Sequence, residues 1–224
     1  MTSPGPLRQI LELARKDLRL EFRTGEALLV TAPFGAVGLF LVPVAVGTDI
    51  PLLRSVGPGM YWVVVLLFGV LVTLRQSAVD TPAQVALLRL TGLNPAVRLL
   101  GRGLANGVLL LAFELVLLPV MIMLYDPPLA GWAWLLAVLP LVAAGLAVLG
   151  TLAGALAQGL AGRTALGPLL VVPLALPLLL SATQVGEATL YGRQPWAWLL
   201  LLTLVDLIAA LAVVLSARHL EEVS

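Results

Sequence analysis

"LARKDLRLEFRTGEALLVTAPFGAVGLFLVPVAVG", residues 13–47, joins a basic segment to a long apolar one. Arg8, Arg15, Lys16, Arg19 and Arg23 crowd the first 24 residues, and 22 uncharged residues then separate Glu26 from Asp49. A helix needs about 20 apolar residues to cross a hydrocarbon core of about 30 Å. The junction therefore reads as an interfacial helix that turns into a membrane span.

The same spacing recurs along the chain. Twenty uncharged residues lie between Arg54 and Arg75, 36 between Asp126 and Arg163, and 23 between Arg163 and Glu187. Two further gaps are broken by a single acid each, Glu114 and Asp206. Six spans are expected, near 27–47, 57–74, 103–124, 132–156, 166–184 and 196–217. The composition agrees, with 60% hydrophobic and 11% charged residues and a mean hydropathy of +1.06. Soluble domains carry about 25% charged residues. The apolar runs do not alternate with polar residues as barrel strands do. Hydrocarbon offers no partner to an open backbone, which leaves helices. The expected fold class is an all-α, multi-pass integral membrane protein. No cleaved signal peptide is expected, because a full-length span follows a long basic region with no small-residue cleavage site.

Charge sets the expected orientation. With the N-terminus inside, eleven of the thirteen cations are cytoplasmic and only Arg54 and Arg193 are outside. Both termini are then cytoplasmic by the positive-inside rule. Trp62, Trp132, Trp134, Trp196, Trp198, Tyr61, Tyr125 and Tyr191 fall at the expected outer ends of spans. They read as an interfacial belt, in preference to a site that stacks a flat ligand. Cysteine is absent, which excludes disulfides, thiolate metal sites and dithiol redox chemistry for this chain.

On a helix of about 100° per residue, Leu7, Ile10, Leu11, Ala14, Leu18 and Phe22 share one stripe. The five cations gather on the adjacent face, with Asp17 and Glu21 across from them. Such a helix lies among the headgroups, where each cation near anionic lipid contributes about 1 kcal/mol. It serves either as an anchor that sets topology or also as the border of a cytoplasmic partner. Thr24-Gly25 ends it.

The longest inside loop, residues 75–102, contains a second helix. Thr81 suits the N-cap, Pro82 the first helical position, and Gln84 completes a capping-box pattern. A helix is expected over about 82–91, stopping at Gly92. Asn94-Pro95 repeats the cap-plus-proline signal and starts the helix that becomes span three. Val85, Leu87, Leu88 and Leu90 surround most of the short helix, so it wants cover on more than one side. It reads either as a loop helix packed on its own bundle or as a contact with a cytoplasmic protein that does mechanical work. Asp80, Thr81, Pro82, Gln84, Val85, Leu87, Leu88 and Arg89 are the candidate coupling residues.

Enzyme constellations are missing from the sequence. The one histidine, His219, is at the expected inner end of span six, and neither an H-E-x-x-H nor a Walker-type phosphate loop occurs. The chain is expected to be non-catalytic, with any ATP hydrolysis on a partner. Glu114 and Asp206 sit near the middles of spans three and six, where a charge costs about 2.5–3.5 kcal/mol to insert. They read as carboxyls tying helices together, with Thr203 one turn from Asp206 as helper; a proton or substrate path is the alternative. Gly103-x-x-x-Gly107 and Gly150-x-x-x-Gly154 allow close helix contact. Pro168, Pro173 and Pro177 crowd span five and free carbonyls that the bundle must satisfy.

Several patterns together resemble one family. "GPGMYWVVVLLFGVLVTLRQ", residues 57–76, is similar to the Pro-Gly-x-x-Trp opening of span two in the heme exporter protein B (CcmB) family, here Pro58, Gly59 and Trp62. "LLRLTGLNPAVRLLGR", 87–102, resembles that family's short cytoplasmic helix and its return. "LLVVPLALPLLLSAT", 169–183, resembles its Leu/Pro-rich fifth span, and "ARKDLRLEFRTGE" its basic N-terminal helix. The likeness runs through nearly the whole chain. One departure is that the coupling region, "SAVDTPAQVALL", keeps only Asp80 of a more acidic stretch.

The resemblance implies an ABC-2 exporter-type permease fold. It divides the chain into an elbow helix at 1–25, a six-span domain at 26–218 with a coupling helix at about 82–91, and a tail at 219–224. It implies a homodimer in the bacterial inner membrane, docked on a cytoplasmic ABC ATPase that binds ATP. A haem-handling membrane subunit and a periplasmic haem chaperone stand alongside, with haem as the cargo of the complex. Membrane lipids are expected partners and nucleic acid is not, and this chain is expected to bind no cofactor itself. The lack of a histidine at depth favours release of haem-loaded chaperone over carriage of haem by this chain. The alternatives are an ABC-2 permease for another cargo (lipid, drug or polysaccharide), a proton-coupled carrier using Glu114 and Asp206, and a structural scaffold subunit.

Overall fold

A computed structural model describes residues 5–47, 49–78, 94–128, 131–159 and 166–222. Among these, α-helices are the only regular elements. The helices are α1 (Pro6–Thr24), α2 (Glu26–Val46), α3 (Ile50–Ala78), α4 (Pro95–Tyr125), α5 (Trp132–Gly159), α6 (Leu166–Leu190) and α7 (Trp196–Glu222). Six of them, α2 to α7, are long and apolar enough to cross a membrane. One end of the bundle then holds the α2–α3, α4–α5 and α6–α7 connections, and the other holds α1.

The ends of the helices depart from the expected spans. The second span starts at Ile50, not near 57, and runs through Pro58. Arg54 does not break it, because the guanidinium stays exposed in the first turns and pairs with Asp126 at the end of α4. The fifth span continues to Leu190, past the expected end near 184, and Tyr191 and Gly192 make the turn. At Pro95 the expected start holds: the Asn94 side chain accepts a hydrogen bond from the Ala96 N–H at 2.8 Å. The expected helix at 82–91 lies outside the described residues.

Helix α4 is the axis of the bundle. It packs against α1, α2, α3, α5 and α7, and its Leu109, Leu110, Phe113 and Leu117 are almost wholly buried. Gly103 and Gly107 face α5, where a Cβ on Gly107 would rest 3.7 Å from that of Ala147. This is the close approach expected from the small-residue spacing. Helices α2 and α7 flank the bundle and leave Phe34, Phe40, Leu41, Leu204, Leu207 and Leu211 exposed, as a lipid-facing surface requires.

Helix α1 packs side-on against the start of α4. A side chain at Gly101 would collide with the Leu13 Cβ, 2.9 Å away, and with the Ile10 carbonyl. Its bound face is therefore Ile10, Leu13 and Ala14, with Asp17 and Glu21 half-buried beside them. The expected stripe is divided: Ile10 and Ala14 face α4 and Leu18 packs against the core, whereas Leu7, Leu11 and Phe22 stay exposed. Gly25 ends α1 and starts α2 in one residue, with φ +65°, its N–H bonded to the Glu21 carbonyl and its carbonyl to the Leu29 N–H.

Candidate functional site

Hydrocarbon gives a polar group no solvent, so every buried polar side chain calls for a partner or a use. The described residues hold a short list. Asn106 donates to the Thr151 hydroxyl at 3.3 Å, and Thr151 donates to the Ala147 carbonyl at 2.6 Å, tying α4 to α5. The Ser181 hydroxyl donates to the Pro177 carbonyl inside α6 at 2.7 Å. Three buried groups have no hydrogen-bond partner among the described residues: the Asn106 Oδ1 and both carboxyls, Glu114 and Asp206.

Glu114 is fully buried on α4. The Tyr61 hydroxyl of α3 approaches it but donates to its backbone carbonyl at 2.8 Å, not to the carboxyl. Asp206 lies on α7, its carboxyl pressed into the space that a side chain at Gly145 of α5 would take, beside Leu178 of α6. Thr203 does not help it; that hydroxyl donates to the Leu199 carbonyl one turn back at 2.8 Å. The contact of α3 at Glu114 is thus with its backbone, whereas the Asp206 carboxyl itself lies against α5 and α6. No hydrogen bond links either carboxyl into a relay among the described residues.

Two tyrosines read as belt residues are core residues. Tyr61 and Tyr125 are each 1% exposed, and Trp62, edge-on to Tyr61, is also buried. The Tyr125 hydroxyl donates to the Leu39 carbonyl of α2 at 2.7 Å. That carbonyl is free because its helical donor would be residue 43, a proline. Gly57 makes room, since a Cβ there would stand 2.6 Å from the Tyr125 Cβ. Trp132, Trp196 and Tyr191 do stay exposed. Trp134 meets Trp196 edge-on at 4.9 Å, and Arg193 lies over the Tyr191 ring.

Of the three motif positions, Trp62 is buried, Pro58 is half-buried inside α3, and an added Cβ at Gly59 would meet nothing within 4 Å. Asp80, Thr81, Pro82, Gln84, Val85, Leu87, Leu88 and Arg89 lie outside the described residues. A groove of about 300 Å³ lies between α4 and α5 and touches Val213 of α7; it opens past Leu104 and Val108, and Thr151 is its only polar side chain. No three metal-ligating side chains converge among the described residues.

A multi-pass helical membrane protein, whose buried tyrosine hydroxyls join helices, is the class that fold and site define. The chain belongs to the CcmB protein family: the family model matches residues 8–221. It is 29% identical to the heme exporter protein B of Bradyrhizobium diazoefficiens, over 92% of this chain and 96% of that protein. The heme exporter protein B of Haemophilus influenzae is 31% identical, over 80% of this chain and 81% of its own length. That of Pseudomonas aeruginosa is 30% identical, again over 80% and 81%.

Proposed function

We infer that this chain is the membrane permease subunit of a heme exporter ABC complex that acts in cytochrome c maturation. The observation that carries the reading is likeness to heme exporter proteins along nearly the whole length of the chain, on a bundle with six spans. ATP hydrolysis belongs to a separate cytoplasmic subunit, coupled through the segment from Asp80 to Arg89. The chain works as a homodimer with both termini inside, beside a haem-handling membrane subunit and a haem chaperone on the outer side.

Its task in that complex is release of haem-loaded chaperone. Haem iron takes histidine, cysteine, methionine or tyrosine as axial ligand. The chain has no cysteine, and His219 is its one histidine, at the end of α7. Met121 is packed into the core, Met60 is half-buried against it, and Met123 is exposed near the end of α4. Tyr61 and Tyr125 have their hydroxyls committed to backbone carbonyls. Isolation of the tagged protein from its native membrane in mild detergent, followed by mass spectrometry of what accompanies it, tests the reading. A Walker-type ATPase and cytochrome maturation subunits are expected to co-purify. Recovery of the chain alone, even after crosslinking, refutes it.

A further inference from the structure

Packing on α4 fixes the rotation of α1, and the rotation decides what its remaining faces meet. With Ile10, Leu13 and Ala14 turned to α4, a step of about 100° per residue puts Arg15, Arg19 and Arg23 on the side pointing away from the bundle. The three follow at intervals of four residues, about 6 Å of rise. They line an open groove of about 720 Å³ with Lys16, and Phe22 and Leu20 form its edges. The groove's one acid, Glu12, is paired with Arg8 at 3.0 Å, and Lys16 is paired with Asp17 at 3.2 Å. Arg15, Arg19 and Arg23 have no acidic partner among the described residues.

We propose that this outward face of α1 is a binding site for the headgroups of anionic phospholipids. Arg15, Arg19 and Arg23 take the phosphates, whose oxygens a planar guanidinium binds in pairs. The exposed line of Leu7, Leu11 and Phe22 runs immediately alongside. A partner must therefore be apolar at one level and anionic at the next. The boundary between acyl chains and headgroups has that layering, and charge complementarity selects its anionic lipids. The site stands apart from the cargo reading and does not depend on it.

Spin-labelled lipids test the site. The full chain is reconstituted into phosphatidylcholine vesicles holding a trace of labelled phosphatidylglycerol or labelled phosphatidylcholine, and the motionally restricted fraction of each is measured. The native chain is expected to prefer phosphatidylglycerol several-fold. The triple variant R15Q/R19Q/R23Q is expected to bring the ratio to about one, and R15K/R19K/R23K to retain most of the preference. Millimolar inorganic phosphate should leave the ratio unchanged, which separates a lipid site from a free-phosphate site. Equal restriction of the two labels by the native chain overturns the proposal, as does a preference that survives the glutamine variant. Should that variant not fold, the native chain decides alone: a preference that persists undiminished in molar salt is also a refutation. If the native ratio is already one and the glutamine variant instead loses a co-purifying cytoplasmic protein, the face belongs to that protein and the proposal fails.

Discussion

Replacing Tyr125 with Phe removes one hydroxyl and leaves the ring in place. The Leu39 carbonyl then has neither the tyrosine, now 2.7 Å away, nor a helical donor, because residue 43 is proline. Inter-helical hydrogen bonds in membrane proteins average about 0.6 kcal/mol and reach about 1.7. Here the acceptor has no second option in the helix, so a cost of about 1 kcal/mol is expected. That is about fivefold in the ratio of folded to unfolded chain. The reasoning makes a sharper demand on the double variant. With Pro43→Ala, the new N–H at position 43 closes on the Leu39 carbonyl, and Tyr125→Phe should then cost less than about 0.3 kcal/mol. A double-mutant cycle should yield a coupling of about 0.7 kcal/mol or more. Equilibrium unfolding in mixed micelles of rising dodecyl sulfate content, followed through the five tryptophans, supplies the four free energies. Equal cost of Tyr125→Phe in both backgrounds would show that Pro43 is not why the tyrosine is there.

Three further outcomes follow from the packing. Gly57→Ala forces a Cβ to within 2.6 Å of the Tyr125 Cβ, an atom too near the backbone to swing aside; thermal unfolding in detergent should show a loss of about 1–3 kcal/mol. Glu114→Leu replaces a buried carboxyl that has no hydrogen-bond partner with an apolar group of similar reach. The same assay should find the variant at least as stable as the parent, and a loss above about 1 kcal/mol would reveal a partner for the carboxyl. Because the chain lacks cysteine, single cysteines report its orientation. Arg54→Cys should react with a membrane-impermeant maleimide on intact cells, Arg8→Cys only after permeabilisation, and the reverse pattern would invert the topology.

The spans were legible because long uncharged runs mark hydrocarbon, whatever the tertiary structure. Their ends were less so. Arg54 suggests that the second span starts after it, yet an arginine in the first turns of a helix keeps its head in water and pairs across to Asp126. The tyrosines posed a different problem. A Tyr at a span end serves either an interface or a core, and the choice depends on a carbonyl freed by Pro43 in another helix and on room left by Gly57. Neither is visible in the residues around Tyr125. For α1 the helical wheel gathers Leu7, Ile10, Leu11, Ala14, Leu18 and Phe22 on one side, but the bundle takes only Ile10, Ala14 and Leu18 of these, together with Leu13. The wheel could not give the rotation, because the notch that seats Leu13 belongs to Gly101, far along the chain. The depth of Glu114 and Asp206 was plain from sequence, while their separate neighbours required the folded bundle.

The joint at Gly25 carries a mechanical consequence. One residue serves as the end of α1 and the beginning of α2, and both its backbone groups are bonded into the flanking helices. Such a joint has no slack. A tilt of α1 against the membrane plane cannot be absorbed in a linker; it must swing α2, or lever against α4 at Gly101. The amphipathic helix is then less an anchor chain than a rudder. Sideways thrust from the membrane surface reaches the first span within a single peptide unit, and two or three extra glycines spliced in at position 25 would cut that linkage while leaving both helices whole.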